Sequence, residues 1–132
     1  MGLIASAKVQ TLTAPWAGQI TSTQHTLLTD KPESFGGGAT GLAPYDFICS
    51  GLISCTMITL RMYAQHKGLE LGEFSVEAEF HANKEGKEWI ERKLHFQTPL
   101  SEELQQKVLA ISSKTPVTKT LLRSVDINTV LL

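Results

Sequence analysis

The stretch FICSGLISCTMITL, Phe47–Leu60, decides how the chain folds. It is almost wholly apolar, carries both cysteines, and lies mid-sequence. Three readings compete: a membrane segment, a core helix, or a helix that presents a reactive thiol. The membrane reading fails on length, because the run is about 14 residues and a span needs about 20. Asp46 and Arg61 bound it. Pro44 suits a first helical turn, where its missing N–H costs nothing. Gly68 suits a C′ stop. Together they predict a helix from Pro44 to Lys67. Its polar residues Asp46, Ser50, Ser54, Arg61 and Gln65 form one thin stripe, and the rest of the girth is apolar or small. Such a helix, roughly 35 Å long at about 1.5 Å per residue, is more than a small domain can surround. A second subunit is expected to help cover it.

The chain has 132 residues, which predicts a single domain over 1–132. Hydrophobic content is 42% and charged content 19%, so disorder is not the default. A net charge of -1 and the absence of a long Lys/Arg cluster predict no nucleic-acid partner. No basic segment followed by an apolar one opens the chain, so no secretory signal is visible. The start MGLIAS fits the myristoylation pattern at Gly2 and Ser6, a pattern short enough to match by accident often. The expectation is a soluble, cytoplasmic protein with reduced thiols and no membrane partner.

On the N-terminal side of the helix, IASAKVQTL alternates, TAPWAG supplies a turn, and QITSTQHTLLTD resumes with β-branched residues. A hairpin and a third short strand follow. Residues 30–44 are a loop rich in glycine. They lack both the P-loop Lys-Ser/Thr and the GxGxxG spacing, so the glycines read as allowing tight turns and close backbone approach rather than phosphate binding. On the C-terminal side, ELGEFSVEAEFHA and EWIERKLHF alternate around the turn NKEGK and predict an antiparallel ribbon with one wet face. Ser101 is the predicted N-cap of a second helix with Leu104, Val108 and Ile111 as its apolar stripe. Pro116 is read as a break, followed by a short turn and a β-rich tail. This order predicts an α+β domain with two helices on one side of a mainly antiparallel sheet.

Cys49 and Cys55 are six residues apart on one helix, about 9 Å of rise and about 240° of turn. They cannot pair while the helix holds, and the spacing is wrong for a CxxC motif. Cys55 has Ile48, Gly51, Leu52, Ile58, Thr59 and Met62 around it on the helix surface. Apolar surroundings suppress a thiolate. A reactive Cys55 therefore needs a cation from elsewhere, for which Lys8, Lys31, Arg92, Lys119 and Arg123 are candidates. His81 and His95 lie on paired strands but out of register, and no metal site is expected. Glu73, Glu77 and Glu79 read as a solvated row.

The segment Gly36–Gly68, a glycine-rich loop, Pro-Tyr-Asp and an apolar helix with Ser-Cys, resembles the central segment of the OsmC/Ohr family. LSEELQQKVLAISSKTPVTKTL, Leu100–Leu121, resembles the family's second helix and the turn after it. The Pro-Tyr-Asp opening and SCTMITLRMYA look like the OsmC-like branch. The resemblance implies an OsmC-like α+β fold, an antiparallel sheet packed on two helices, and an intertwined homodimer with the long helix at its centre. It implies organic hydroperoxide reduction in defence against oxidative stress. Cys55 is then the attacking thiol, and no cofactor is needed beyond an external dithiol reductant. Asp46, or its neighbour Tyr45, takes the place of the acid that orients an activating Arg. Met62, along the same face as the thiol, is a candidate ligand contact.

Two departures bear on that activity. The family's second cysteine precedes Pro-Val, and here the matching residue is Thr115, ahead of Pro116 and Val117. The activating Arg usually comes from the N-terminal strands, yet no Arg precedes Arg61. Three readings stay open: a weakened or one-cysteine thiol peroxidase, a catalytically degenerate homodimer that binds an apolar small molecule at the subunit interface, and a structural dimer in which Cys55 is a core residue.

Overall fold

The computed structural model of the protein describes residues 2–132. Two compact units follow one another along the chain, the first ending at Ile48 and the second beginning at Cys49.

The first unit opens with a three-stranded antiparallel meander, β1 (Lys8–Thr11), β2 (Gly18–Ser22) and β3 (His25–Thr29), in the order β1-β2-β3. The predicted hairpin and third strand are thus present. The glycine loop then doubles back on β3. A Cβ on Gly37 would overlap the carbonyl of Lys31, and one on Gly41 would overlap that of Leu28, so close backbone approach is what these glycines permit. The loop amides are used internally: Gly37 N donates to Pro32 O at 2.9 Å and Ala39 N to Lys31 O at 3.2 Å. Asp30 ties the loop together. One carboxylate oxygen accepts the Lys31 amide at 2.7 Å, and the other accepts the Thr40 hydroxyl at 2.7 Å and the Thr40 amide at 3.2 Å. Among the described residues before Cys49, only Gly18 and Asp30 are buried; no apolar side chain is.

The helix α1 runs from Pro44 to Lys67, the predicted bounds. Asp46 accepts the Ala43 amide at 3.0 Å and returns its own amide to Ala43 O at 3.0 Å, closing the N-terminal turn. Gly68 at φ 64 closes the other end. At 24 residues, and with mean hydropathy 1.4 over its most apolar window, α1 is by itself long and apolar enough to cross a membrane. The shortness of the apolar run Phe47–Leu60 therefore does not exclude a span. Packing speaks for a core helix: Leu52, Thr56, Leu60 and Ala64, at steps of four, form one buried line.

The second unit packs that line against β4 (Phe74–Ala82), β5 (Glu88–Phe96) and α2 (Glu102–Ser112). Leu60, Ala64, Leu71 and Val108 form the core, with Phe74, Leu94, Phe96, Leu104 and Ile111 partly buried around it. Phe74 and Phe96 are register partners and stack at 4.9 Å between ring centroids. The β4–β5 turn is held by Asn83, whose side-chain oxygen accepts the amides of Glu85 at 3.1 Å and Lys87 at 3.0 Å. His81 pairs with Trp89 and His95 with Ser75, so the two histidines are out of register as expected. Ser101 caps α2 by accepting the Leu104 amide at 3.2 Å.

Two expectations are corrected here. The chain has a third helix, α3 (Pro116–Arg123), where a short turn was read. Thr115 caps it and Pro116 occupies its first turn, so Thr-Pro starts a helix at this point. Residues 124–132 carry no strand. Val125, Ile127 and Val130 have β propensity, but propensity forms a strand only against a partner edge.

Candidate functional site around Cys55

Cys55 lies near the middle of α1 and is half-buried, as is Cys49. The hydrogen-bond-range contact of its sulfur is with Thr59 Oγ1, at 4.0 Å one turn further along. The thiol is neither exposed nor sealed. Of the helix positions flanking it, Leu52 is buried, but Ile58 is 48% exposed and Met62 65% exposed. The unbroken apolar shell that would make the cysteine inert is absent on that side. Gly51, one turn before the thiol, is exposed, and a Cβ there would meet nothing within 4 Å.

Asp46 and Tyr45 sit at the start of α1, Tyr45 53% exposed. Asp46 precedes Cys55 by nine residues, about 13 Å of rise and half a turn around the helix. Within one chain its carboxylate serves the helix N-terminus, as the bond to Ala43 shows. Among the candidate cations, Lys31 lies over the Trp16 ring at 4.9 Å, while Lys119 and Arg123 are exposed on α3.

Arg92 is different. Along β5 it alternates with Ile90 and Leu94, so it shares their inward face, opposite Ala78 of β4. Its Nη1 donates to Thr118 Oγ1 at 2.9 Å and to Thr56 Oγ1 at 3.1 Å. Thr56 is the residue after Cys55 and is fully buried, and its hydroxyl donates to Leu52 O at 2.7 Å. Thr115, also fully buried, stands 2.7 Å from Thr118 through the two hydroxyls and accepts the Thr118 amide at 3.4 Å. The Thr118 hydroxyl also lies 3.2 Å from Ser112 O. One guanidinium thus ties β5, α1 and α3 together through threonines. Burial lowers the pKa of Arg92, and the guanidinium remains cationic at neutral pH. Sequence reasoning named Arg92 as a candidate cation and Thr115 as a marked position, but it did not join them, and it passed over Thr56 and Thr118. Alternation along EWIERKLHF, which puts Arg92 in phase with Ile90 and Leu94, was the available signal.

Residues 36–130 match the family model described as OsmC-like protein, a stretch that includes Cys55, Arg92 and Thr115. The chain belongs to the OsmC family. Its fold is shared by solved structures at low identity. A Psychrobacter arcticus protein provisionally named as an osmotic stress induced and detoxification response protein aligns at TM-score 0.76 and 17% identity, over 91% of this chain and 90% of that one. The OsmC-like protein of Mycoplasma pneumoniae aligns at TM-score 0.71 and 20% identity, over 92% and 89%. The organic hydroperoxide resistance protein OhrB of Bacillus subtilis aligns at TM-score 0.60 and 20% identity, over 89% and 90%. Among curated proteins no match is found. The α+β architecture expected from the sequence is therefore that of the OsmC family, with three α-helices among the described residues in place of the expected two.

Proposed function

We propose that this OsmC family member is a cytoplasmic, homodimeric, thiol-based hydroperoxide reductase that works with one cysteine. The observation that carries the reading is the contrast between Cys55 and Thr115. The sulfur stands on a half-open helix face, whereas the residue at the family's second-cysteine position is a sealed hydroxyl engaged in capping α3. The name of the Bacillus subtilis relative, which concerns organic hydroperoxide resistance, supports the same class of substrate.

In the proposed cycle the Cys55 thiolate attacks the terminal peroxide oxygen. An S–O bond forms, the O–O bond breaks, and the departing alkoxide takes a proton to leave as alcohol. Cys55 is now a sulfenic acid. Thr115 cannot resolve it, and Cys49 lies too far along α1. An external thiol therefore condenses with it, releasing water and leaving a mixed disulfide. A second thiol displaces Cys55 as thiol and carries the disulfide away. No cofactor enters the cycle. The homodimer is supported by the apolar residues α1 leaves uncovered and by an N-terminal meander without a buried apolar side chain, since such a sheet needs a packed face.

The test follows organic hydroperoxide loss under excess dithiol for the parent, Cys55→Ser and Cys49→Ser. The reading expects turnover in the parent and Cys49→Ser, and none above background in Cys55→Ser. A parent no faster than Cys55→Ser removes it. A second reading, a degenerate dimer that binds an apolar small molecule at the subunit interface, is favoured by one observation: the described residues place no cation in bonding contact with the sulfur. Stabilisation by apolar ligands without turnover would select it.

A further inference from the structure

Thr59 follows Cys55 by one turn of α1, and both residues are half-buried. Side chains on a helix lean toward its N-terminus, so the Thr59 side chain reaches back over the Cys55 turn. Its Oγ1 lies 4.0 Å from the Cys55 sulfur. A serine or threonine inside a helix can turn its hydroxyl onto the carbonyl four residues before it. Thr56 does so with Leu52 O at 2.7 Å, and Ser112 with Val108 O at 2.8 Å. Thr59 does not bond the Cys55 carbonyl; among the described residues the sulfur is the one hydrogen-bond partner of its hydroxyl. One turn before the thiol, Gly51 carries no side chain and has open space around it. The sulfur is thus backed by a hydroxyl on one side and open to approach over a glycine on the other.

We propose that Thr59 stabilises the Cys55 thiolate by donating its hydroxyl hydrogen to the sulfur. A separation of 4.0 Å is long even for sulfur, as suits a neutral thiol, which accepts weakly. When Cys55 gives its proton to water, the sulfur becomes an anion. A charged acceptor draws a donor closer and holds it more strongly. The hydroxyl hydrogen turns about its C–O bond to meet it. A bond that strengthens as charge develops favours the charged form over the neutral one. The contact also answers a need of this chain. Among the described residues no cation lies in bonding contact with the sulfur, and the Arg92 guanidinium is engaged with Thr56 and Thr118 instead. On the reductase reading, on which this role rests, the stabilised sulfur is the atom that attacks the peroxide. The contact itself is with the thiolate, whatever that thiolate attacks.

Alkylation by iodoacetamide, a neutral reagent that reacts with the thiolate, keeps the test apart from peroxide chemistry. Rates are followed from pH 6 to pH 10 in the full-length Cys49→Ser protein, where Cys55 is the one thiol left. Thr59→Val keeps the shape and removes the hydroxyl. It is expected to slow alkylation at pH 7 by about fivefold or more, within what a hydrogen bond to a charged group contributes, and to leave the alkaline plateau near the parent's. Thr59→Ser restores the hydroxyl and is expected to restore the rate at pH 7. The circular dichroism melt of each variant reports folding, and should Thr59→Val not fold, Thr59→Ala decides in the same assay. Equal rates at pH 7 with and without the hydroxyl overturn the proposal. So does a slowing that is the same at every pH, which would be a change of access rather than of ionisation. A Thr59→Ser rate as low as that of Thr59→Val, or no alkylation of folded Cys55 at any pH, overturns it as well. Peroxide loss is measured separately: a parent that alkylates with the expected profile but consumes no hydroperoxide removes the reductase reading and leaves the Thr59 contact standing.

Discussion

The hydroxyls of Thr115 and Thr118 stand 2.7 Å apart at the start of α3, the first sealed from solvent and the second nearly so. A cysteine in place of Thr115 would have a poorer acceptor for the Thr118 amide. The threonine is therefore a structural element in its own right, the cap of α3 and the end of the chain of bonds from Arg92.

Thr115→Val removes the cap and leaves the Thr118 hydroxyl with one partner fewer. It is expected to lower stability by about 1–2 kcal/mol, read as a reduced midpoint in urea. Thr115→Cys is expected to cost less and to gain a resolving thiol. After one equivalent of hydroperoxide, peptide mapping without reductant should find a disulfide between Cys55 and the introduced thiol. Oxidation of Cys55 with no such link would mean that position 115 is outside resolving distance.

Asp30 titrates below its ordinary value of 3.8, first because the Thr40 hydroxyl donates to it and next because the Thr40 and Lys31 amides do. A depressed folded pKa means the carboxylate is favoured by folding. Its contribution is fully present above that ordinary value of 3.8 and fades as the pH falls from there through the folded value. Thr40→Val is expected to move the Asp30 titration upward, followed by carbon NMR of the carboxyl. Asp30→Asn is expected to lower the melting temperature at pH 7 and to flatten its dependence on pH below about 4. An unchanged acid limb in Asp30→Asn would count against this role.

Ile58 and Met62 project from α1 at 48% and 65% exposure. If a second copy covers them, a charge at either position meets an apolar interface. Sedimentation equilibrium of the parent should give a dimer, and Ile58→Glu should shift it toward monomer by tenfold or more in dissociation constant, or about 1.4 kcal/mol. A monomeric parent would remove the dimer from the account.

The bounds of α1 and the cap of α2 were readable because Pro44, Gly68 and Ser101 act locally. The strand-free C-terminal tail was misread for the opposite reason: Val125, Ile127 and Val130 suit a strand, but strand formation depends on an edge elsewhere in space. The helix α3 was missed although its signal was local, because Thr-Pro ends one element as readily as it starts another. At the site, Cys55 was legible through the family motif. The Arg92 network was not, since its threonines are far apart in sequence, Thr56 and Thr118 standing 36 and 26 positions from Arg92. Asp46 was legible as a residue, but its helix-capping bond to Ala43 emerged only with the fold.

The central claim is that Cys55 alone takes oxygen from the peroxide. Trapping with dimedone after one equivalent of cumene hydroperoxide, followed by peptide mass spectrometry, tests it most directly. The adduct is predicted on Cys55 in the parent and in Cys49→Ser, and absent from Cys55→Ser. An adduct on Cys49 only, or none on either cysteine while the peroxide disappears, would contradict the account.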